Sequence, residues 1–295
     1  MRRSILTAGL VAASVALAGC GSNSLSGGPA HKGGNVSVGV DKAAAAEVPA
    51  SVKKKGTLTV GTDASYAPSE FLASDGSTIQ GFDIDLFKAV AKKLGLKVTF
   101  QNASFDTIIT GVTGGKYDVG VSSFTINADR EKQADMVSYF NAGTQWAAQP
   151  SEASKVNPQK PCGLNVAVQK GTTQLMDDLP AKIKACKAAG KPINVLVYDK
   201  QDQATAAVVA GKADAMLADS PVVAYAVQQS NGKLKAVGSI YAAAPYGYVL
   251  PKGEGQFDQA IVKALQGLQK SGDYLKILKN WGVQQGAISN FSVNP

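Results

Sequence analysis

The sequence predicts an α/β fold of two similar lobes joined by two crossovers of the chain. From Leu58 onward, short strand-like runs alternate with helical stretches, the pattern of parallel sheets in α/β domains. The alternation starts afresh near Cys162. One stretch of each series also matches the other. "ITGVTGGKYDVGVSS" and "AAVVAGKADAMLAD" each read as a helix, then Gly-Lys-x-Asp, then a strand with a polar tip.

Taken in order, "TLTVGT" predicts the first strand. "DIDLFKAVAKKLG" predicts a helix, with Leu86, Val90 and Leu94 on one stripe and Gly95 as its stop. Asp83 and Asp85 are expected to cap its start and match its dipole. "KVTFQ" then predicts a strand, "FDTIITGVTGG" a helix and "YDVGV" a strand. In the second series, "LNVAVQ", "INVLVY" and "ADAMLA" predict strands, and "TTQLMDDL" and "DQATAAVVAG" predict helices. After "YAAAPYGYVLPKG" come two helices, "FDQAIVKALQGLQKSG" and "DYLKILKNWG", expected to return to the first lobe. The expected organisation is a discontinuous first lobe, 53–146 and 245–291, and a second lobe, 150–241, with crossovers near 147–152 and 241–246. Trp146 and Trp281 are expected to pack.

A length of 295 residues suits two domains. The formal charge of +8 comes from lysines spread along the chain, with "VKKKG" the one dense run. No basic patch interleaved with aromatics is present, so nucleic acid is not an expected partner.

The first twenty residues read as export signal, not fold. Arg2 and Arg3 precede an apolar stretch from Ile5 to Leu17 that is too short for a membrane span. It ends in Leu17-Ala18-Gly19-Cys20, which resembles the lipobox of bacterial lipoproteins. The resemblance implies removal of residues 1–19 and a lipid on Cys20, a membrane anchor without a span. An ordinary signal peptide with an incidental cysteine is the alternative. Residues 20–52, rich in Gly, Ser and Ala, are expected to form the anchor and a flexible tether. Of three cysteines, a lipidated Cys20 leaves Cys162 and Cys186. In an exported protein these are expected to pair, the alternative being two buried thiols.

The chemistry concentrates in "SSFTINADR", residues 122–130. Three hydroxyls and one arginine at the end of a strand suit a carboxylate. Aligning Asp118 with Asp214 sets Ser123 opposite Asp219, so a carboxylate tips the matching strand. Ligands of α/β sheets bind beyond the carboxyl ends of strands, and two such ends facing each other make a cleft. A ligand with both a carboxylate and an ammonium fits it. "KGTTQ" adds a helix start whose free N–H groups favour an anion.

The stretch 57–282 resembles the extracellular solute-binding proteins of polar-amino-acid ABC importers (solute-binding protein family 3). The residues that carry the resemblance are "VGTDASYAP", "GFDIDL", "GKYDVGVSSFT", the arginine of "NADREKQ", "QKGTTQ" and "ADAMLADSP". It implies a two-lobed, periplasmic-binding-protein-like clamshell with two hinge crossovers. It also implies capture of an amino acid and delivery to a membrane permease. On that reading Arg130 grips the α-carboxylate, supported by Thr125, the backbone after Ser123, Thr172 and Thr173. Asp219 binds the α-ammonium beside Ser122 or Ser123, and Tyr66 and Phe105 are aromatic walls. Asp63 and Glu70 read the ligand's side chain, and two carboxylates there suggest a cationic one. Ser69 stands where the family often has an apolar aromatic, and Phe124 where methionine or leucine is common.

Each residue also has a plainer reading. For Asp63 it is a turn or cap, for Glu70 plain surface, and for Tyr66 and Phe105 the core. For Arg130 it is a solvated residue paired with Glu131 or Asp135, and for Asp219 a cap for "SPVVAYAVQQ". An enzyme is not expected, because the sole histidine, His31, lies in the tether and a Ser-His-Asp or Cys-His site needs a positioned one. Carboxylate-only chemistry on this fold, as in some dehydratases, stays open, as does a ligand-sensing domain, which usually continues into a membrane span. No metal or other cofactor is expected, and the protein is expected to be a monomer.

Overall fold

A computed structural model describes residues 36–253 and 255–295. The expected signal segment, Cys20 and His31 lie outside the described residues.

The chain opens with two short helices, α1 (Lys42–Ala46) and α2 (Ala50–Lys55). The flexible tether expected over 20–52 is thus replaced by helices from Lys42 to Lys55, and its first part, 20–35, lies outside the described residues. Asp41 caps α1 through Oδ1, accepting from the N–H groups of Ala43 and Ala44. Val38, Ala44 and Val48 are buried in the first lobe's core. Four alanines are strong helix formers, and three small apolar side chains suffice to seat the arm against larger elements.

Next come β1 (Thr57–Thr62) and three short strands, β2 (Ser65–Tyr66), β3 (Glu70–Leu72) and β4 (Ile79–Gln80), which form a small sheet of their own. Helix α3 (Phe82–Lys93), β5 (Lys97–Asn102), α4 (Phe105–Thr113) and β6 (Val119–Thr125) follow. Phe82, Leu86, Phe87 and Val90 of α3 are fully buried, each contributing on the order of 1.5–3 kcal/mol of hydrophobic stabilisation. Helix α5 (Ala128–Gln133) then leads into a long strand, β7 (Asp135–Ala148).

The second series is β8 (Asn165–Gln169), a π-helical turn (Gln174–Asp178) running into α6 (Leu179–Ala188), β9 (Asn194–Tyr198), α7 (Gln201–Val209), β10 (Ala215–Asp219) and α8 (Ser220–Gln229). A second long strand, β11 (Lys235–Leu250), precedes α9 (Gly255–Ser271) and α10 (Asp273–Asn280).

One eight-stranded sheet has the order β5-β1-β6-β11-β7-β10-β8-β9. In its first half β1 pairs in parallel with β5 and β6. In its second half β8 pairs in parallel with β9 and β10. The long strands β7 and β11 pair antiparallel with each other in the middle. From Thr144 onward β7 already pairs with β10. The chain thus crosses inside β7, ahead of the expected 147–152, and returns inside β11. Register shifts interrupt the β7–β11 ribbon between Val237 and Tyr241 and between Tyr241 and Ala244. Ala242 there takes a left-handed φ of 49°. A side chain at Gly143 would come within 2.7 Å of Ile240 Cγ2 and the Tyr241 carbonyl, so the close approach of the two strands needs glycine.

The internal repeat is physical. Asp118 accepts the Thr59 N–H at 2.6 Å, and its own N–H donates to the Thr59 carbonyl at 2.8 Å. Asp214 accepts the Asn165 N–H at 2.7 Å, and its N–H donates to the Asn165 carbonyl at 2.8 Å. Each aspartate clamps the start of the neighbouring parallel strand. Ser123 and Asp219 therefore end matched strands. The expected Cys162–Cys186 disulfide is present, with a Cα–Cα distance of 5.0 Å. Cys186 lies in a second-lobe core cluster with Trp146, Val166, Val168 and Leu179.

Candidate ligand-binding site

Both strand tips face the junction of the lobes. Tyr66, Phe105, Ser123, Thr125 and Arg130 of the first lobe line one small cavity with Thr172, Thr173, Gln174 and Asp219 of the second. A groove of about 330 Å³ shares Phe105, Arg130, Thr172 and Thr173 with it and opens between Asp106 and Asp177. Around the cavity the lobes are shut. Gln169 Nε2 donates to Asp63 Oδ2 at 2.7 Å, the Asp219 N–H to Tyr66 Oη at 3.2 Å, and the Gln201 N–H to Ser65 Oγ at 3.2 Å. Lys170 pairs with Asp106 at 2.8 Å across the same seam.

Arg130 is carried on α5, whose start Asn127 caps by accepting the Arg130 N–H at 2.9 Å. The side chain is 7% exposed, so it is not a solvated helix residue. Asp135, one of its alternative partners, instead accepts from Asn294, Lys252 and the Gly253 N–H. Nη1 donates to the Thr125 carbonyl at 2.7 Å and Nη2 to the Gly171 carbonyl at 3.1 Å. The guanidinium carbon lies 5.4 Å from the Phe105 ring centre and 5.3 Å from that of Phe124, within cation–π range. Those two rings stack at 4.6 Å. Burial lowers the Arg130 pKa to about 10, while Asp219 and Asp177 oppose the fall, so the group stays charged at neutral pH. Five N–H donors meet two carbonyls here, which leaves charge and donors for an anion.

The Gly171 contact depends on glycine. Its φ is 76°, and a side chain there would meet Asp106 Cβ at 2.9 Å. The "GTTQ" segment starts a π-helical turn, where an ordinary helix start was expected. Thr172 Oγ1 donates to the Gln169 carbonyl at 2.8 Å, so that hydroxyl holds the turn.

Asp219 precedes α8 but makes no capping hydrogen bond to it, so the cap reading fails. Its Oδ1 accepts from Gln174 Nε2 at 2.7 Å and its Oδ2 from Tyr246 Oη at 2.7 Å. Burial raises its pKa, against the hydrogen bonds of Tyr246, Gln174 and Tyr66 and the charge of Arg130. Gln174 Nε2 also donates to Thr144 Oγ1 at 3.0 Å, which ties the site to β7.

Asp63, Ser122 and Glu70 sit outside the cavity lining. Asp63 is 2% exposed, and burial lifts its pKa to about 6 against hydrogen bonds from Ser65, Gln169 and the Phe105 backbone. Ser122 Oγ accepts the Asp63 N–H at 3.0 Å. Glu70 is fully buried, not plain surface, and the structure does not bring it to the cavity as a reader of the ligand's side chain. The reason is local: β3 turns it under the serine pair, where Ser122 Oγ and Ser123 Oγ each lie 3.3 Å from its oxygens.

Asp83 is likewise no surface cap. It is fully buried, and its Oδ2 accepts Tyr139 Oη at 2.7 Å and the Ser123 N–H at 3.1 Å. That N–H therefore points away from the cavity. Asp85 accepts Trp281 Nε1 at 3.0 Å. Gln169, Gln174, Tyr246 and Asp83 are the site residues that sequence reasoning missed.

Two α/β lobes closed over a cavity with a buried arginine and a buried aspartate define a binding protein of the clamshell class. Residues 58–284 match the bacterial extracellular solute-binding proteins, family 3, and the chain belongs to that family. It is 37% identical over 289 residues to the arginine-binding protein ArgT of Corynebacterium glutamicum, covering 98% of this chain and 94% of that one. Among solved structures, an ancestral arginine-binding protein bound to arginine superposes with a TM-score of 0.70 at 37% identity, over 77% of this chain and 98% of that one. An ancestral amino-acid-binding protein, precursor of cyclohexadienyl dehydratase, gives 0.69 at 34% identity, over 78% of this chain and 97% of that one. All three of these relatives are amino-acid-binding proteins.

Proposed function

We propose that this protein captures an amino acid with a cationic side chain, arginine before lysine or ornithine, and delivers it to the permease of an ABC importer. The observation that carries the reading is the pairing of buried Arg130 and buried Asp219 on opposite lobes of one cavity. Arg130 takes the α-carboxylate with Thr125, Thr172 and Thr173. Asp219 takes the α-ammonium beside Ser123, and Tyr66 and Phe105 flank the aliphatic stem. Asp63, behind Phe105, receives the side-chain cation, which replaces the Gln169 donor at Oδ2. A planar guanidinium suits that carboxylate better than a point charge. The ligand touches both lobes, so its binding favours the closed form, and the closed form is what a permease reads. The protein works as a monomer on the outer face of the cytoplasmic membrane, held by a lipid on Cys20.

A thermal-shift screen of residues 21–295 against amino acids tests the ligand class. A ligand at a hundred times its dissociation constant adds about 2.7 kcal/mol, a rise on the order of 5–10 °C for a chain of this size. Arginine, lysine and ornithine should lead. A flat screen overturns the amino-acid reading, and a lead by neutral or acidic amino acids overturns the cationic one.

A further inference from the structure

The serine pair at the tip of β6 looks like a source of donors, yet its donors point away from the cleft. Ser122 Oγ donates to Glu70 Oε1 and Ser123 Oγ to Glu70 Oε2, both at 3.3 Å. The Ser123 N–H donates to Asp83 Oδ2 at 3.1 Å. Ser123 has a φ of 52°, a left-handed backbone that is uncommon outside glycine and is held here by that inward N–H bond. A hydroxyl carries one proton. Once that proton is given to Glu70, only lone pairs remain for the cavity that Ser123 lines.

We propose that Glu70 and Asp83 form a positioning pair that turns the serine donors inward, so that this face of the cleft accepts hydrogen bonds and does not give them. A ligand ammonium is welcome there, and a ligand carboxylate is turned toward Arg130. Neither acid touches the ligand, and both act through the serines. The inference rests on the amino-acid reading above.

The pair holds itself in this state. Glu70 and Asp83 lie close enough that each shifts the other's hold on a proton. Asp83 Oδ1 is buried and accepts no hydrogen bond from a described donor, so it is the oxygen open to a Glu70 proton. Burial pushes Glu70 well above the usual carboxylate range, with the Asp83 charge adding to it, and burial lifts Asp83 to about 6. The other titratable groups facing Glu70 are Asp63 and the phenols of Tyr66, Tyr139 and Tyr246. Burial keeps all three phenols protonated. One proton shared by Glu70 and Asp83 leaves both Glu70 oxygens free to accept from the serines.

Glu70→Gln tests the idea. It keeps the shape but places an amide donor against one serine, whose proton must then turn into the cleft. Calorimetry is run with arginine and with 5-guanidinopentanoate, the same molecule without its ammonium. Arginine should weaken about 10- to 100-fold and the guanidino acid by less than about threefold, with Glu70→Asp restoring part of the arginine affinity. Equal loss for both ligands overturns the proposal. A second measurement needs neither ligand nor variant: a carbon-13 carboxyl titration of the ligand-free wild type. A proton retained by the Glu70–Asp83 pair through pH 7 supports the inference, and two carboxylates ionised near their ordinary values overturn it. If the wild type binds no amino acid, the amino-acid reading falls, and the carboxyl titration still decides the state of the pair.

Discussion

Gln169 and Asp63 join the two lobes behind the cavity, with Nε2 of one 2.7 Å from Oδ2 of the other. A neutral amide occupies the place where a cation would bind a carboxylate best. Asp63 carries no charged hydrogen-bond partner there, and burial lifts its pKa to about 6.

That shift predicts pH-dependent binding. The folded pKa lies above the ordinary value of 3.8, so folding favours the protonated acid. Its contribution to stability is greatest at low pH and falls by about 3 kcal/mol as pH rises from about 4 to about 6. A bound cation needs the ionised form and works in the opposite direction. Arginine affinity should improve about tenfold from pH 5 to pH 7 and level off above. Calorimetry across this range checks it, and Asp63→Asn should flatten the profile. A flat wild-type profile would remove Asp63 from the ligand.

Arg130→Ala should cost about 2–5 kcal/mol of amino-acid binding. The ligand carboxylate loses its charged partner, and the Thr125 and Gly171 carbonyls lose the group that gathers them. Unchanged affinity in a calorimetric titration would show that the carboxylate lies elsewhere.

Asp219→Asn should weaken amino acids and spare analogues lacking the ammonium. Tyr246→Phe removes one hydrogen bond to Oδ2 and leaves the ring packing in place. A loss of about 0.5–1.5 kcal/mol for arginine is expected, with little change for 5-guanidinopentanoate. Equal losses for both ligands would sink the role of Asp219.

The disulfide should act on stability and not on recognition. Cys162 and Cys186 are 24 residues apart in sequence, and closing a loop of that size is worth about 3–4 kcal/mol. A Cys162→Ser, Cys186→Ser double variant should melt on the order of 10 °C lower with the same arginine affinity at 20 °C. A large loss of affinity would mean that the bridge shapes the site.

Much of the fold was legible because its signals are local. "TLTVGT" marks β1 from end to end, and the Gly-Lys-x-Asp match found a true repeat, since Asp118 and Asp214 make the same backbone clamp. Arg130 and Asp219 were legible because one follows a run of hydroxyls at a strand end and the other tips the matching strand of the repeat, each within a family motif. Gln169, Gln174 and Tyr246 were not, because their partners lie 106, 45 and 27 residues away. Asp83 looked like a cap because it does stand in the first turn of α3, and only the tertiary contact with Tyr139 and Ser123 turns it into a core residue. The arm at 41–48 carried a readable signal, an aspartate before four alanines, which low complexity obscured.

The ribbon of β7 and β11 has a consequence for ligand affinity. Its narrow, register-shifted stretch around Gly143 and Ala242 supplies none of the side chains proposed to hold the ligand's charges, although Thr144 within it pairs with Asp219. The apparent dissociation constant equals the intrinsic one divided by the fraction of molecules in the binding-competent form. On the proposed function, substitutions in that stretch retune the concentration at which the ligand is captured, while the side chains of Arg130, Asp219 and Asp63 keep the choice of ligand. Working range and diet then answer to different side chains, and the first can be adjusted without relearning the second.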